Sequence, residues 1–599
     1  MIIKNLAHST FWWGLRLFLF VASGLSYVVL ANTCHQPFIP IHVIQGEDDV
    51  SPLLGKKVAI EGVVSANFLG KSALNGFFVQ SNYLEEDTNP QTSEGIFVYW
   101  PQGNKNSVGL GQRVRVLGVV KEHFGLTEIT QVSQVLDCGK GKKITRSAVN
   151  LPVKDILSLE RLESMRIDGT QWVVIDHYQA ATYGQLWVSH KIHLKPTQEQ
   201  RPSGLTRHSP LTVFNTLVID DGSRQKGTAR RHRWVDKNTT WGQKRLPRIG
   251  DRVDVHGVLT FSFERYQVQP LALTVKLQRQ MAQMPCSRQG KIRFASTNLF
   301  NYFAPSALAS HKNLGRSSKK EWQMQTRKIV SALKTMDADI IALMELDNTD
   351  QQANKAINYL IKQLNQKFPK EKHYRGLTTP NNQKISPIQV GLLYRPAMMK
   401  PKGVVKTLGS FPFEKLNRQP LLQAFKLVEE KQDFTVVVNH FKSKGRCPRR
   451  GADAESINGQ GCWNWRRTQA SKALIKWLQA PHIQDLSSNQ VLLGDFNAYR
   501  YEDPIHVLTQ AGFVAVTDSL GNDAYTYQFK GLRGALDHVL VNAEFNTAVK
   551  NTCVWHINAN EMPIKDYRRY GKSAKAYKQW VNEGPQRFSD HDPIIVDWL

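Results

Sequence analysis

The pattern of apolar and polar positions first predicts a small all-β domain. From about Val58 to Ile129, short segments alternate apolar and polar residues and are separated by glycines. Period-two alternation with β-branched residues predicts strands, and short strands at this spacing are typical of small barrels. We therefore predict an OB-like β-barrel domain over residues 32–140.

Part of this pattern returns further along the chain. The segment 250–259, GDRVDVHGVL, resembles the segment 111–119, GQRVRVLGV. An acidic turn, Asp220-Asp221-Gly222, precedes the second copy. The partial repeat predicts a second OB-like β domain over residues 141–285, interrupted by a basic loop.

After Cys286 the periodicity changes. Apolar runs at 339–343, 434–438 and 491–493 alternate with helical stretches at 322–336 and 466–478. Strand runs that alternate with helices are typical of layered α/β architectures. The predicted fold class is therefore α+β, with a layered domain over residues 286–599 preceded by the two β modules.

The N-terminus carries the pattern of a signal peptide. Lys4 and Arg16 precede an uncharged run over residues 17–31, and Ala31 satisfies the small-residue rule for cleavage. The alternative is an uncleaved anchor, because apolar residues begin at Phe11. A spanning helix needs about 20 apolar residues, and this run is shorter. We expect residues 1–31 to be removed and the mature chain, without a stable membrane span, to be secreted or retained in the periplasm.

The cysteines fit an exported chain. They form no CxxC pair, which argues against zinc or thioredoxin-type chemistry, and their even number favours disulfides. Spacing suggests three pairs, although the sequence alone does not select among the alternatives: Cys34 with Cys138, Cys286 with Cys553, and Cys447 with Cys462.

Net charge indicates an anionic partner. The chain has a formal charge of +28, which suits nucleic acid, acidic polysaccharide or an anionic membrane. Residues 224–248 hold nine Lys/Arg against one acid, with two tryptophans among them. Cations that neutralise phosphates beside aromatic rings that stack on bases suit a nucleic-acid surface, although such a run is also typical of a solvated loop. A second basic–aromatic stretch spans residues 567–580 and is predicted to form a mobile rim over a cleft, with an ordinary exposed loop as the alternative. The candidate DNA contacts are Arg231, Arg233, Trp234, Arg568 and Arg569.

Polar side chains follow several of the apolar runs in the last domain. Strand ends at one edge of a sheet converge, whereas each of these residues taken singly is a common cap or turn residue. Carboxylate and amide oxygens together suit Mg²⁺, Mn²⁺ or Ca²⁺, and histidine beside aspartate gives an oriented acid or base. Such a combination suits the hydrolysis of phosphate esters. The residues are Asn298, Glu345, His440, Asp495, Asn497, Asp537, His538, Asp590 and His591.

Six motifs in order resemble the endonuclease/exonuclease/phosphatase superfamily, which includes deoxyribonuclease I. They are STNLFNY (296–302), LMEL (343–346), NHFKSKG (439–445), GDFNA (494–498), LDH (536–538) and SDHDP (589–593). The forms of the third motif and of GQGCWN (459–464) most resemble the large secreted ExeM/NucH-type bacterial nucleases.

The resemblance implies a four-layer α/β/β/α sandwich of the deoxyribonuclease I type and a role for each motif residue. Glu345 would be the principal metal ligand, assisted by Asn298 and Asp590. Asp495 and Asn497 would position the attacking water, the metal or the scissile phosphate. Asp537 would pair with His591, which acts as the base or as a phosphate-stabilising cation. The remaining roles concern the phosphate and the fold: His440 contacts phosphate and helps protonate the leaving oxygen, Arg418 and Tyr394 bind phosphate, and His538 is structural.

The function implied is a secreted nuclease, monomeric and dependent on Mg²⁺ (or Mn²⁺ or Ca²⁺), that hydrolyses DNA with little sequence preference. RNA is a further candidate substrate, and the sequence does not separate endonuclease from exonuclease action. Two alternatives stay open. One is a phosphodiesterase or phosphatase of the same superfamily that acts on lipid or sugar phosphates; the other is a non-catalytic nucleic-acid-binding surface protein.

Overall fold

The computed structural model describes residues 33–224, 246–276, 284–305, 318–349, 355–380, 386–430, 432–569, 572 and 574–599. The predicted signal peptide and the candidate DNA contacts Arg231, Arg233 and Trp234 lie outside these residues. Within the described ranges, no helix combines the length and apolar character that crossing a membrane requires.

The first β region is a closed five-stranded barrel. It follows a short helix, α1 (Ile41–Gln45), and its strands are β1 (Lys57–Phe68), β2 (Gly76–Gln80), β3 (Gly95–Tyr99), β4 (Gln112–His123) and β5 (Leu126–Lys140). They close in the order β1-β2-β3-β5-β4, with β3 and β5 parallel and the other pairs antiparallel. Alternate residues such as Val58, Ile60 and Val64 fill the interior. The predicted strands are present, and the OB-like assignment stays a prediction.

The second β region repeats this pairing. Its elements are β6 (Ser147–Val149), α2 (Leu157–Glu160), β7 (Arg166–Asp176), α3 (Ala180–Tyr183), β8 (Gln185–Ser189), β9 (His193–Leu194), α4 (Pro196–Glu199), β10 (Thr216–Asp220), β11 (Arg252–Ser262) and β12 (Arg265–Lys276). Strands β7, β8, β10, β12 and β11 pair in that order, and β11 pairs again with β7. Among these five strands the β10–β12 pair is parallel and the others are antiparallel, and β6 adds to β7 in parallel. The partial sequence repeat therefore marks equivalent strands, β4 and β11.

The C-terminal region contains two six-stranded sheets and a separate hairpin. Its strands are β13 (Ile292–Tyr302), β14 (Ile340–Asp347), β15 (Arg375–Thr378), β16 (Ile388–Tyr394), β17 (Met399–Thr407), β18 (Leu421–Leu427), β19 (Asp433–His440), β20 (Gln490–Asp495), β21 (Val514–Ala515), β22 (Tyr527–Phe529), β23 (Leu532–Gly534), β24 (Asp537–Val541), β25 (Val549–Val554) and β26 (Ile594–Trp598). The first sheet has the order β15-β16-β14-β13-β26-β25, and the second has the order β17-β18-β19-β20-β24-β21.

The C-terminal region also contains helices, several of which cover the outer faces of its two sheets. They are α5 (Lys319–Met336), α6 (Lys355–Asn365), α7 (Asn464–Leu478), α8 (Pro481–Gln484), α9 (Asp503–Gln510), α10 (Ala543–Thr547) and α11 (Ala574–Trp580). Helix α5 begins after Ser318, whose hydroxyl oxygen accepts a hydrogen bond from the Glu321 N–H, and α5 and α6 pack on the first sheet. Helices α7 and α9 pack on the second sheet, while Phe294, Phe434 and Trp598 fill the space between the sheets. The layers are therefore helix, sheet, sheet and helix, as expected.

The three suggested cysteine pairs are all present as disulfides. Cys34–Cys138 joins the ends of the first barrel, Cys286–Cys553 joins the start of the C-terminal region to β25, and Cys447–Cys462 closes a loop before α7. Each bridge thus links segments that the fold already places side by side.

Candidate functional site

The predicted polar residues meet at one edge of the two packed sheets. Strands β13 and β14 are parallel, as are β19 and β20, so their carboxyl ends lie at the same edge. His440 is in register with Asp495 across one pair, and Asp495 is in register with Asp537 across the next. Polar side chains that are far apart in sequence therefore lie in one cleft.

Two irregular strands position the predicted metal ligands. The β13–β14 register shifts after Asn298, and Phe300, Asn301 and Glu345 have positive φ angles of 55°, 57° and 61°. The Asn301 N–H donates to Glu345 Oε2 (2.7 Å), and the Phe300 N–H donates to Asn298 Oδ1 (2.8 Å). Non-glycine residues in this backbone region are costly and cluster at functional sites. The bulges therefore hold both side chains in place.

The electrostatics around Glu345 fit a divalent cation. Burial raises the pKa of Glu345, the nearby Asp590 carboxylate raises it further, and the Asn298 amide opposes that rise. Two carboxylates and an amide form an all-oxygen donor set, which Mg²⁺, Mn²⁺ and Ca²⁺ prefer. A cation held by Glu345, Asp590 and Asn298 would remove the repulsion between the two carboxylates.

An Asp–His pair lies beside these residues. His591 Nδ1 donates to Asp537 Oδ2 at 2.7 Å, so Nε2 is the ring nitrogen that can meet a substrate. Burial opposes protonation of His591, but Asp537 and then Asp495 raise its pKa well above the ordinary value. One ligand atom from each of Asp495, Asp537 and His591 falls within 4.8 Å of the other two. This charge environment favours the imidazolium form.

Asp495 and His440 lie side by side at the ends of neighbouring strands of the second sheet. His440 Nε2 lies 3.5 Å from Asp495 Oδ2, and the Asn497 N–H donates to Asp495 Oδ1 at 2.8 Å. Burial raises the pKa of Asp495 to about 7, with Asp537 contributing to the rise and His591 opposing it. Burial, followed by the Arg418 charge, lowers the pKa of His440 well below its ordinary value. His440 is therefore neutral and suited to donating a hydrogen bond.

Arg418 extends the cleft on the second sheet. Its Nη1 donates to the Phe441 carbonyl (2.9 Å), and its backbone N–H donates to the His440 carbonyl (3.0 Å). Burial lowers the pKa of Arg418, while Glu345 and Asp495 oppose that shift. A guanidinium near both the Glu345 and the Asp495 carboxylates is suited to bind a phosphate that lies between them.

The structure corrects one predicted site residue. Tyr394 is 5% exposed, lies in the core between the sheets and has its ring 5.1 Å from that of Phe425. It pairs with Ile340 at the start of β14, whereas Glu345 lies near the end of that strand. Tyr394 is therefore a core residue remote from the cleft, and the predicted phosphate-binding role does not hold for it.

His538 points away from the cleft, and its contacts are those of a residue with the structural role that we expected for it. Its Nε2 donates to the Ala498 carbonyl at 2.8 Å, and burial lowers its pKa. Its ring packs against Phe496. It therefore ties β24 to the loop after β20.

The predicted rim arginines differ in their environments. Arg568 is paired with Asp566, and its guanidinium lies 4.7 Å from the Phe300 ring, two residues beyond Asn298. Arg569 is exposed, and its guanidinium lies 4.9 Å from the Tyr577 ring. Arg568 thus borders the metal side of the cleft, and Arg569 lies on the outer surface.

Sequence reasoning missed three residues that contact the Asp537–His591 pair. Thr526 Oγ1 donates to Asp537 Oδ2 (2.7 Å), and the Tyr527 ring lies 4.7 Å from the His591 ring. Asn558 Nδ2 donates to the His591 carbonyl (2.7 Å). Thr526 and Tyr527 belong to a short alternating stretch before Asp537 that does not reveal what it contacts, and Asn558 has no comparable signal.

One comparison with known proteins agrees with the motifs that form this site. The sequence model of the Endonuclease/Exonuclease/phosphatase family matches residues 298–591. A search of curated proteins finds no match.

Several solved structures are similar to about half of the chain. The human Nocturnin catalytic domain with bound sulfate is 16% identical, with 51% of this chain and 94% of that chain covered and a TM-score of 0.33. D. rerio TDP2 complexed with a single-strand DNA product is 14% identical, with 51% and 97% covered and a TM-score of 0.32. A Bacteroides thetaiotaomicron mannosyl-6-phosphatase is 13% identical, with 52% and 100% covered and a TM-score of 0.32. By the family match and by the motifs assembled in the cleft, residues 298–591 are similar to members of the endonuclease/exonuclease/phosphatase family.

Proposed function

We propose that the protein is a secreted, divalent-metal-dependent nuclease that hydrolyses phosphodiester bonds of DNA with little sequence preference, with RNA as a further substrate. The observation that carries the proposal is the meeting of Glu345, Asp495, the Asp537–His591 pair and Arg418 in one cleft. This set supplies a phosphate clamp, a proton acceptor and a protonated imidazole within one site.

The reaction follows from the protonation states in the cleft. Arg418 and neutral His440 hold the phosphodiester, and Asp495 and Asn497 orient a water molecule for in-line attack on phosphorus. Asp495, whose pKa of about 7 suits a base at neutral pH, takes the proton of that water. His591, held by Asp537, stabilises the added negative charge and gives its proton to the leaving oxygen.

The metal would be held on the other side of the cleft. Glu345, Asn298 and Asp590 would bind it, and a divalent cation there polarises the phosphate and neutralises developing charge. His591 as a phosphate-stabilising cation is favoured over His591 as a base, because its raised pKa keeps it protonated near neutral pH.

A polymeric substrate is supported by charge, and secretion by the disulfides. The formal charge of +28 exceeds what a small phosphate ester needs, and Arg568 beside Phe300 offers a cation and a ring next to the cleft. Disulfides persist in oxidising compartments, which agrees with the predicted signal peptide. Because cationic side chains that neutralise phosphates release counterions, DNA binding should weaken steeply as the salt concentration rises. Because phosphate contacts carry no sequence information, DNA binding should vary little with sequence.

The test uses purified residues 32–599, covalently closed plasmid DNA and Mg²⁺. We expect nicking that EDTA and His591→Ala both abolish, whereas His482→Ala, an exposed histidine on α8, nicks as the wild type does. If the closed circle survives while linear DNA is degraded, the enzyme is an exonuclease and not an endonuclease. DNA that is bound but never cut would favour the non-catalytic alternative, and hydrolysis confined to lipid or sugar phosphates would favour the phosphatase alternative.

A further inference from the structure

A three-stranded sheet joins the second β-barrel to the cleft. Strand β9 (His193–Leu194) lies between β8 and β10 of the second barrel in sequence, yet it pairs in parallel with β23 of the C-terminal region. Strand β23 pairs in turn with β22 to form the hairpin that leads into Asp537. The second barrel therefore supplies one strand of a sheet whose other two strands belong to the catalytic region.

This hairpin contacts the Asp537–His591 pair at two consecutive residues. Thr526 Oγ1 donates to Asp537 Oδ2, and its carbonyl accepts from the Asp592 N–H at 2.8 Å. The Tyr527 ring packs on the His591 ring with the centroids 4.7 Å apart and the planes tilted by 38°. The orientation of the imidazole thus depends on Asp537 at its Nδ1 and on Tyr527 at its ring.

Several contacts hold the hairpin to the second barrel. The Lys195 N–H donates to the Arg533 carbonyl (2.8 Å), and Gln198 Oε1 accepts from the Ala535 N–H (3.0 Å). From the hairpin, Gln528 Nε2 donates to the Ile175 carbonyl at 3.0 Å. An isolated two-stranded hairpin is marginally stable in water, and each strand here has only three residues. The hairpin therefore needs the additional strand to keep its shape.

We propose that Tyr527 is a positioning residue for His591, and that the second β-barrel sets the position of Tyr527 by supplying β9. The barrel then has a role in the chemical step as well as any role in holding substrate. This inference rests on the proposed function, in which His591 acts on the scissile phosphodiester.

The first test separates the ring of Tyr527 from its hydroxyl. In the full chain, Tyr527→Ala should lower kcat on a double-stranded DNA oligonucleotide on the order of 10- to 100-fold, because a small misplacement of a catalytic group has effects of this size. KM should change less than kcat, and Tyr527→Phe, which keeps the ring, should restore most of kcat. A Tyr527→Ala protein with wild-type kcat, or one that loses only KM, would overturn the positioning role.

The second test breaks the link between the barrel and the hairpin at one hydrogen bond. Lys195 has φ −62° and ψ 130°, which a proline adopts without strain, so Lys195→Pro removes the N–H that binds the Arg533 carbonyl. Lys195→Ala is the matched control, because it removes the same side chain and keeps the N–H. We expect Lys195→Pro to lower kcat relative to Lys195→Ala, with KM changed less than kcat.

Amide hydrogen exchange tests the same contact between the barrel and the hairpin without any substrate. Lys195→Pro should speed exchange of the amides in residues 527–534 and of the Asp592 amide, relative to Lys195→Ala. Equal kcat and equal exchange in the two variants would overturn the proposal. If the wild-type protein hydrolyses no DNA, the proposed function fails, and the exchange comparison still decides whether the barrel holds the hairpin.

Discussion

The hydroxyl of Thr526 provides a sensitive test of the Asp537–His591 geometry. Thr526 is 1% exposed, and its Oγ1 donates to Asp537 Oδ2 at 2.7 Å while accepting from the Leu536 and Asp537 N–H groups at 3.1 and 3.2 Å. The same Asp537 oxygen accepts from His591 Nδ1. Thr526→Val keeps the shape of the side chain and removes all three hydrogen bonds.

The expected magnitude follows from the charge of the acceptor. A hydrogen bond to a charged group contributes about 1.5–3 kcal/mol. If the orientation of His591 depends on this bond in the transition state, a loss of that size lowers kcat by roughly 10- to 150-fold, since about 1.4 kcal/mol corresponds to a factor of ten. The two N–H groups left without an acceptor should also lower the free energy of unfolding by about 1–3 kcal/mol each.

Initial rates on a double-stranded DNA substrate at saturating Mg²⁺ measure the first effect, and urea unfolding measures the second. Thr526→Ser is the matched control, because it keeps the hydroxyl. A Thr526→Val protein whose kcat lies within about twofold of that of Thr526→Ser would refute the reasoning, since the bond would then contribute less than about 0.5 kcal/mol to the reaction.

Three further predictions concern stability. Glu502→Leu removes the buried carboxylate that pairs with the partly exposed Lys444 side chain and should lower the free energy of unfolding by about 1.5–3 kcal/mol in urea titrations; an unchanged midpoint would show that the pair contributes nothing net. Replacing Cys34 and Cys138 by serine opens a loop with a sequence separation of 104 and should destabilise the first barrel by about 4–5 kcal/mol, as should reduction of that bridge in the wild type, and equal melting of the two forms would contradict this. Burial, then His190 and Lys191, lowers the pKa of His193 to about 4, so the unfolded chain binds the extra proton between pH 6.5 and 4. The stability that the neutral His193 ring contributes is fully present above pH 6.5 and is lost as the pH falls towards 4, by up to about 3 kcal/mol. In the wild type the free energy of unfolding should therefore fall with pH over this range, and His193→Gln should reduce that fall.

Local sequence patterns predicted part of the secondary structure of this protein. Period-two alternation located strands of the first barrel, and the repeat at 250–259 marked β11 of the second barrel as the counterpart of β4. The helical stretches at 322–336 and 466–478 lie within α5 and α7. Such patterns are readable because burial on one face imposes a period of two on a strand and of about 3.6 on a helix.

The site residues were predictable to the extent that chemistry follows strand ends. Glu345 and Asp495 lie near the ends of β14 and β20, and His591 precedes β26, which runs antiparallel to β13 and therefore starts at the edge where β13 ends. The three residues meet because these points lie at the same edge of the two sheets. The prediction for Tyr394 was wrong because β16, the strand that ends at Tyr394, runs antiparallel to β14. The end of β16 therefore lies at the opposite edge of the sheet from Glu345. Strand direction is a property of the sheet, and no local pattern reports it.

The sequence by itself determined several of the strands, two of the longer helices, the charge and the order of the polar motifs, because each of these follows from residues that are neighbours in the chain. Only the tertiary structure decided that β9, two residues long, would complete the hairpin that carries Thr526 and Tyr527 to the Asp537–His591 pair. A strand of two residues has no period to recognise, and its pairing with Leu532 and Arg533 joins segments more than three hundred residues apart. Contacts of that kind arise from how whole domains pack together, which the pattern within either segment does not contain.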